Sequence, residues 1–210
     1  MIPTENYAVA GKRATTKDTL DDFPTPPWAT RALTHLLISP TGKVWEPACG
    51  RGYMSRTLAE TFGKKNVIST DVEDYGWVEQ DALCDWVKIE HANASGFTWM
   101  ITNPPFKHAE KFAAYAMIRN IPNVAILVRT QFLEGINRYR KLYSWRPPTV
   151  IAQFTERVPM VKGRVDPEAS TATAYCWIIW RADKDDRRTR FVWIPPCRRE
   201  LEREGDYTVP

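Results

Sequence analysis

Asn103-Pro104-Pro105-Phe106 has the residue types to hold a flat, hydrogen-bonding molecule. Two consecutive prolines cannot donate to a ladder, and they keep the backbone extended. The apolar run Trp99-Met100-Ile101-Thr102 precedes them and a helical pattern over residues 107–119 follows. The segment therefore reads as a strand emptying into a stiff loop that throws an amide and an aromatic ring forward. In an open α/β sheet, ligands bind at the carboxyl ends of strands, and a nucleobase suits an amide beside a ring. The plainer alternative is a Pro-rich turn in which Asn103 is a cap.

A second constellation lies upstream, in Glu46-Pro47-Ala48-Cys49-Gly50-Arg51-Gly52. Its glycines permit positive φ and let a ligand lie against bare backbone. Ser55 stands where a dinucleotide fingerprint would have its third glycine, and no Gly-Lys-Ser/Thr follows. Hydride and phosphoryl transfer are disfavoured accordingly. Asp71 closes the next strand about twenty residues on, the spacing of an acid that grips ribose hydroxyls. Asp81, beside Ala82, can accept from an adenine amino group. Either acid alone is commonly a strand-end cap. Glycine turn, acid, acid and Asn-Pro-Pro-Phe in this order on successive strands make a far more specific set.

These groups need a scaffold. Apolar spacing predicts helices over residues 28–37, 53–62, 109–119 and 134–145. Strands are expected over 43–48, 66–71, 97–102, 124–128, 150–154 and 173–180, with a short helix near 82–87 and a weak further strand nearby. Alternation of the two implies a parallel sheet with helices on both faces. The two late strands, 150–154 and 173–180, suit a mixed sheet with a terminal hairpin. Residues 1–22 read as a flexible arm, 23–182 as one catalytic domain and 183–210 as a charged extension.

The chain of 210 residues is long enough for one substantial domain, and a formal charge of +4 is compatible with a nucleic-acid partner. Its four cysteines have no CxxC spacing, and its three histidines form no HExxH. Reduced thiols, no metal and a cytoplasmic location are the expectation. The sequence has no apolar run of membrane-spanning length and no signal-peptide core.

With these residues in view, the chain resembles the class I S-adenosylmethionine-dependent DNA N6-adenine methyltransferases, in particular small phage and prophage enzymes. Phe23-Pro24-Thr25-Pro26-Pro27 is similar to the family's Thr-Pro motif. Its place before the glycine loop gives the gamma-type order. The resemblance implies a Rossmann-like fold with a mixed, mostly parallel seven-stranded sheet. It also implies a cofactor, S-adenosylmethionine. Phe23, Thr25 and Pro26 would hold the methionine end. Glu46, Pro47, Ala48, Gly50 and Gly52 would form the loop, Asp71 with Val72 the ribose side, Asp81 with Ala82 the adenine side. Asn103 would border the cofactor as well. Asn103, Pro104, Pro105 and Phe106 would be catalytic, with the Pro104 carbonyl sharing the amine and Phe106 stacking on a flipped base. Two departures stand out: Ala48-Cys49 replaces a Phe common in relatives, and no segment is long enough for a separate target-recognition domain.

Lys107, Arg129, Arg138, Arg140 and Lys141 are candidate phosphate contacts on the substrate side. The expected partner is DNA, with RNA open, and the expected state a monomer or homodimer. Rival readings are an RNA N6-adenine methyltransferase, a protein glutamine methyltransferase on the same fold, and an inactive cofactor-binding module that covers DNA.

Overall fold

A computed structural model describes residues 21–77, 96–183 and 187–208. Helix α1 (Pro27–Leu36) begins with Pro at its first position, where a missing N–H costs nothing. Strand β1 (Lys43–Glu46) leads through the glycine turn into α2 (Tyr53–Phe62), and β2 (Val67–Ser69) follows. Then come β3 (Phe97–Thr102), α3 (Ala109–Ile118) and β4 (Asn123–Arg129). A short helix α4 (Ile136–Arg138) continues as a π-helical turn over Tyr139–Tyr143, where the sequence predicts one unbroken helix. Strands β5 (Val150–Phe154), β6 (Tyr175–Arg181) and β7 (Arg190–Ile194) and helix α5 (Arg198–Leu201) complete the chain.

The seven strands form one sheet in the order β2-β1-β3-β4-β6-β5-β7. All are parallel except β6, which runs antiparallel between β4 and β5. β6 and β5 are the expected late antiparallel pair. Because β4 and β6 lie inside the sheet, their side chains are buried on both faces, which explains runs such as Val124-Ala125-Ile126-Leu127-Val128. One face packs Trp28, Leu33 and Leu58 of α1 and α2 against Ala125, Leu127 and Trp177. The other packs Phe112 and Met117 of α3 against Ile126, Ile178 and Trp180. Among the described residues no helix is long and apolar enough to cross a membrane.

The weak extra strand and short helix expected between Val72 and Gly96 fall largely outside the described residues. The seventh strand comes instead from the charged C-terminal stretch, as β7 against β5. Its pattern is short, its neighbours are arginines, and its partner lies about forty residues earlier, so local spacing does not announce it.

The chain leaves β1 for β2 on one side and returns to β3 on the other. This reversal opens a crevice at the carboxyl ends of β1 and β3, which brings the two chemistry-bearing loops together.

Candidate active site

A cleft of about 360 Å³ lies at that reversal. Its walls include Thr25, Ala48, Gly50, Asp71, Asn103 and Pro105. Four separate segments thus converge: the stretch before α1, the turn after β1, the end of β2, and the loop after β3.

The glycine turn owes its shape to two different requirements. Gly50 has φ 51°, and a Cβ there would meet nothing within 4 Å, so it offers bare backbone to the cleft. Gly52 has φ 79° but is not part of the cleft wall; a Cβ there would come 2.0 Å from the Trp77 ring. The second glycine therefore makes a seat for Trp77.

Asp71 holds the turn in place. Its carboxylate accepts N–H bonds from Gly50 at 2.7 Å, Val72 at 2.7 Å and Glu73 at 3.1 Å. A carboxylate has about four acceptor positions, so one remains for a ligand. Burial pushes the Asp71 pKa up, and the three N–H bonds oppose that rise without cancelling it. Val72 beside it is exposed and lines the cleft.

Glu46, at the end of β1, is 2% exposed and bonds Ser55 Oγ, which in turn lies 2.6 Å from Ser69 Oγ. Burial raises its carboxyl from 4.5 to about 8, with the Ser55 bond opposing and Asp71 adding to the rise. The folded protein therefore holds this proton more tightly than the unfolded chain. Stability from this site is full below about pH 4.5, falls as pH rises and is lost above about pH 8. Glu46→Gln is expected to match the wild type in urea unfolding at pH 4.5 and to exceed it at pH 8.5 by a few kcal/mol, on the order given by linkage. An identical fall with pH in the variant would refute this assignment.

The loop after β3 is held from outside the sheet. Asn103 Nδ2 donates to the Phe23 carbonyl at 2.9 Å. A flipped amide would set oxygen against oxygen, so this bond fixes the orientation and leaves Oδ1 without a donor among the described residues. The Pro105 carbonyl accepts from His108 N–H at 2.8 Å, whereas the Pro104 carbonyl accepts no hydrogen bond from a described residue. Among the described residues, Asn103 Oδ1 and Pro104 O thus have no donor; Asn103 lines the cleft, whereas Pro104 is buried and is not part of its wall.

Phe106 packs against Phe23 with ring centroids 5.7 Å apart, and the Arg129 guanidinium lies over its ring at 4.0 Å. Its N–H donates to Asp21 Oδ2 at 3.1 Å. Thr25 and Pro26 are buried; Thr25 lines the cleft, whereas Pro26 is not part of its wall. Asp81 and Ala82 lie outside the described residues.

The candidate cations divide. Lys107 is exposed on the cleft rim, and Arg140 and Lys141 are exposed on the π-helical turn. Arg138 is committed: it donates to the carbonyls of Phe132, at 2.7 Å, and Glu134, lies 3.9 Å from the Phe132 ring centre, and faces Glu110. It buttresses its own turn.

Sequence reasoning missed an acidic and aromatic rim. Asp22 pairs with Arg51 at 2.9 Å, and Arg51 also lies over Tyr75 at 5.6 Å. The 155–174 connection reaches this rim through Gly163 N–H, which donates to the Asp22 carbonyl at 2.8 Å. Arg51 sits inside the glycine turn, so its position was readable. Its partner was not, because Asp22 falls in the stretch read as an arm.

No family model and no curated protein matches the chain. Solved structures do. The methyltransferase subunit of a type I restriction-modification system from Streptococcus thermophilus superposes with a TM-score of 0.52 at 12% identity, covering 91% of this chain and 51% of that one. A chain described as a modification subunit of a type I restriction enzyme from Vibrio vulnificus gives a TM-score of 0.57 at 13% identity, covering 81% and 46%. The chain spans about half the length of each. Such identities speak to architecture: a mostly parallel seven-stranded sheet with helices, a reversal after β2 and one antiparallel strand inside. The protein has the Rossmann-like class I methyltransferase fold.

Proposed function

We propose that the protein methylates the exocyclic N6 amine of adenine in DNA. The observation that carries this reading is Asn103 Oδ1, an acceptor at the wall of the glycine-turn cleft with no donor among the described residues, next to the Pro104 carbonyl, which likewise has none. An adenine amine has two N–H donors, and its lone pair is delocalised into the ring. Acceptors for both N–H groups favour a pyramidal nitrogen whose lone pair faces away from them. Positioning and fixed dipoles of this kind supply much of a rate enhancement.

The cleft fits S-adenosylmethionine. About 360 Å³ is in the range of small-molecule sites, and Gly50 presents open backbone. Phe23, Thr25 and Pro26 would hold the amino-acid end, Asp71 with its remaining acceptor position and Val72 the ribose, with Asp81 and Ala82 expected on the adenine side. When bound, the group would supply an electrophilic methyl whose bond to sulfur breaks as its bond to nitrogen forms, leaving S-adenosylhomocysteine. Asn103 and Pro104 hold the acceptor nitrogen, Phe106 stacks on the target base, and the departing amine proton goes to solvent. The structural neighbours, a methyltransferase subunit of a type I restriction-modification system and a modification subunit of a type I restriction enzyme, are in keeping with this reading.

The test is labelled-methyl transfer in parallel to unmethylated duplex DNA, single-stranded DNA, folded RNA and a glutamine-bearing protein. The reading expects DNA to be the best acceptor by at least tenfold; preference for RNA or protein would replace it with one of its rivals. Of the exposed candidates, Arg129 lies over Phe106, and Lys107, Arg140 and Lys141 are the remaining candidate phosphate contacts. Three such contacts predict a log-log salt slope of about −2 to −3 for duplex binding. Changing all three to Ala should flatten that slope, and an unchanged slope would remove them from the interface.

A further inference from the structure

Two arginines lie over aromatic rings beside the site, and their surroundings differ. Arg138, 3.9 Å from the centre of Phe132, is anchored by two backbone carbonyls and faces Glu110. Arg129, 4.0 Å from the centre of Phe106, is exposed and pairs with no carboxylate among the described residues. The ring beneath it is fixed, through Phe106 N–H on Asp21 and through packing on Phe23. An exposed planar cation with Tyr175 rather than a carboxylate beside it therefore rests on a firmly held ring.

We propose that Arg129 is a base-positioning residue whose guanidinium keeps the target base's stacking place on Phe106 in the free protein, then closes on the outer face of the base. This rests on the nucleobase reading of the site.

The placement supports it. Arg129 ends β4, whose neighbour β3 carries Asn103 just beyond its own end. Across β6 it stands opposite Tyr175, whose side chain its guanidinium also meets, so its backbone is fixed by the ladder. A ring and a guanidinium in contact leave no room for a third plane, so entry requires the guanidinium to retreat by about one van der Waals layer, roughly 3.5 Å. A long, exposed side chain can do this without disturbing the backbone. Guanidinium planes stack on bases as well as on phenyl rings. A lysine in the same place would keep the charge and lose the flat face.

The experiment compares full-length wild type, Arg129→Ala and Arg129→Lys on unmethylated genomic DNA. It measures kcat and KM for DNA, affinity for S-adenosylmethionine and the salt slope of DNA binding. The stacking role predicts that both variants raise KM about tenfold, the size of one lost stacking face, and change kcat by less than about threefold. Cofactor affinity and salt slope should stay at the wild-type values. Wild-type KM in Arg129→Lys with a slope flatter by about one in Arg129→Ala would make Arg129 a phosphate contact and overturn the proposal. An unchanged KM in Arg129→Ala would overturn it too, as would equal loss of cofactor binding in both variants. Wild type that methylates RNA or protein but not DNA would instead sink the functional reading and this inference with it.

Discussion

Asn103→Ala is expected to lower the turnover of methyl transfer by about 10²–10³, the usual effect of removing one oriented polar group from a reacting centre. Affinity for S-adenosylmethionine should change by less than about threefold, because the side chain's structural bond is a single one to the Phe23 carbonyl at 2.9 Å. The geometry permits a sharper version. Asn103→Asp keeps an oxygen at Oδ1 but replaces the Nδ2 donor with a second oxygen facing that carbonyl. The repulsion would turn the group away, so the Asp variant should be nearly as slow as Ala despite its extra negative charge. Pre-steady-state methyl transfer and equilibrium cofactor binding separate the two effects. A variant that loses both equally would make Asn103 a structural tie between the loop and the stretch before α1.

The largest expected stability effect lies far from the chemistry, at Arg31. This α1 side chain is 2% exposed, and all five of its N–H donors are used. It bonds Glu60 of α2 at 2.8 and 2.7 Å, both oxygens of Asp206 at 2.7 Å, and the Leu201 carbonyl at 2.6 Å. Asp206 is itself 4% exposed and also accepts from Arg203 N–H. One guanidinium thus ties the C-terminal residues to both helices on one face of the sheet. Arg31→Ala leaves a buried carboxylate without its counter-charge, which costs about 3–5 kcal/mol. That is a large share of the 5–15 kcal/mol that typically holds a domain together. Arg31→Met with Asp206→Leu should be much less destabilised than Arg31→Ala, since neither charge is then stranded. Urea midpoints of the three proteins test this, and a double variant no more stable than Arg31→Ala would show that the network is not acting through charge burial.

How much of this was legible in the residues follows from how local each requirement is. Gly50, the double proline and the buried runs in β3 and β4 declare themselves through backbone chemistry and spacing within a few positions. The strand order that brings Gly50 to Asn103 follows from alternation of strand and helix. Arg31 was not legible as a keystone, because an arginine in an amphipathic helix looks like any solvated charge until Asp206 arrives from the far end of the chain. Gly52 was readable as a glycine that must be there, yet its reason, the Trp77 ring, lies in a segment with no periodic pattern. Arg129 and Arg138 carry the same side chain and share the label of phosphate contact; only the third dimension separates the one tied to backbone carbonyls from the exposed one over Phe106. The rim of Asp22 and Arg51 was hidden because its partners belong to stretches that look like an arm and a turn.

Presentation of an adenine amine to a methyl donor by Asn103 Oδ1 and the Pro104 carbonyl is tested most directly by identifying the atom that receives the methyl group. DNA labelled with the methyl of S-adenosylmethionine, digested to nucleosides and resolved by mass, should yield N6-methyl-2′-deoxyadenosine in wild type and almost none in Asn103→Ala. Label recovered on cytosine, or on adenine at a ring nitrogen, would contradict the account.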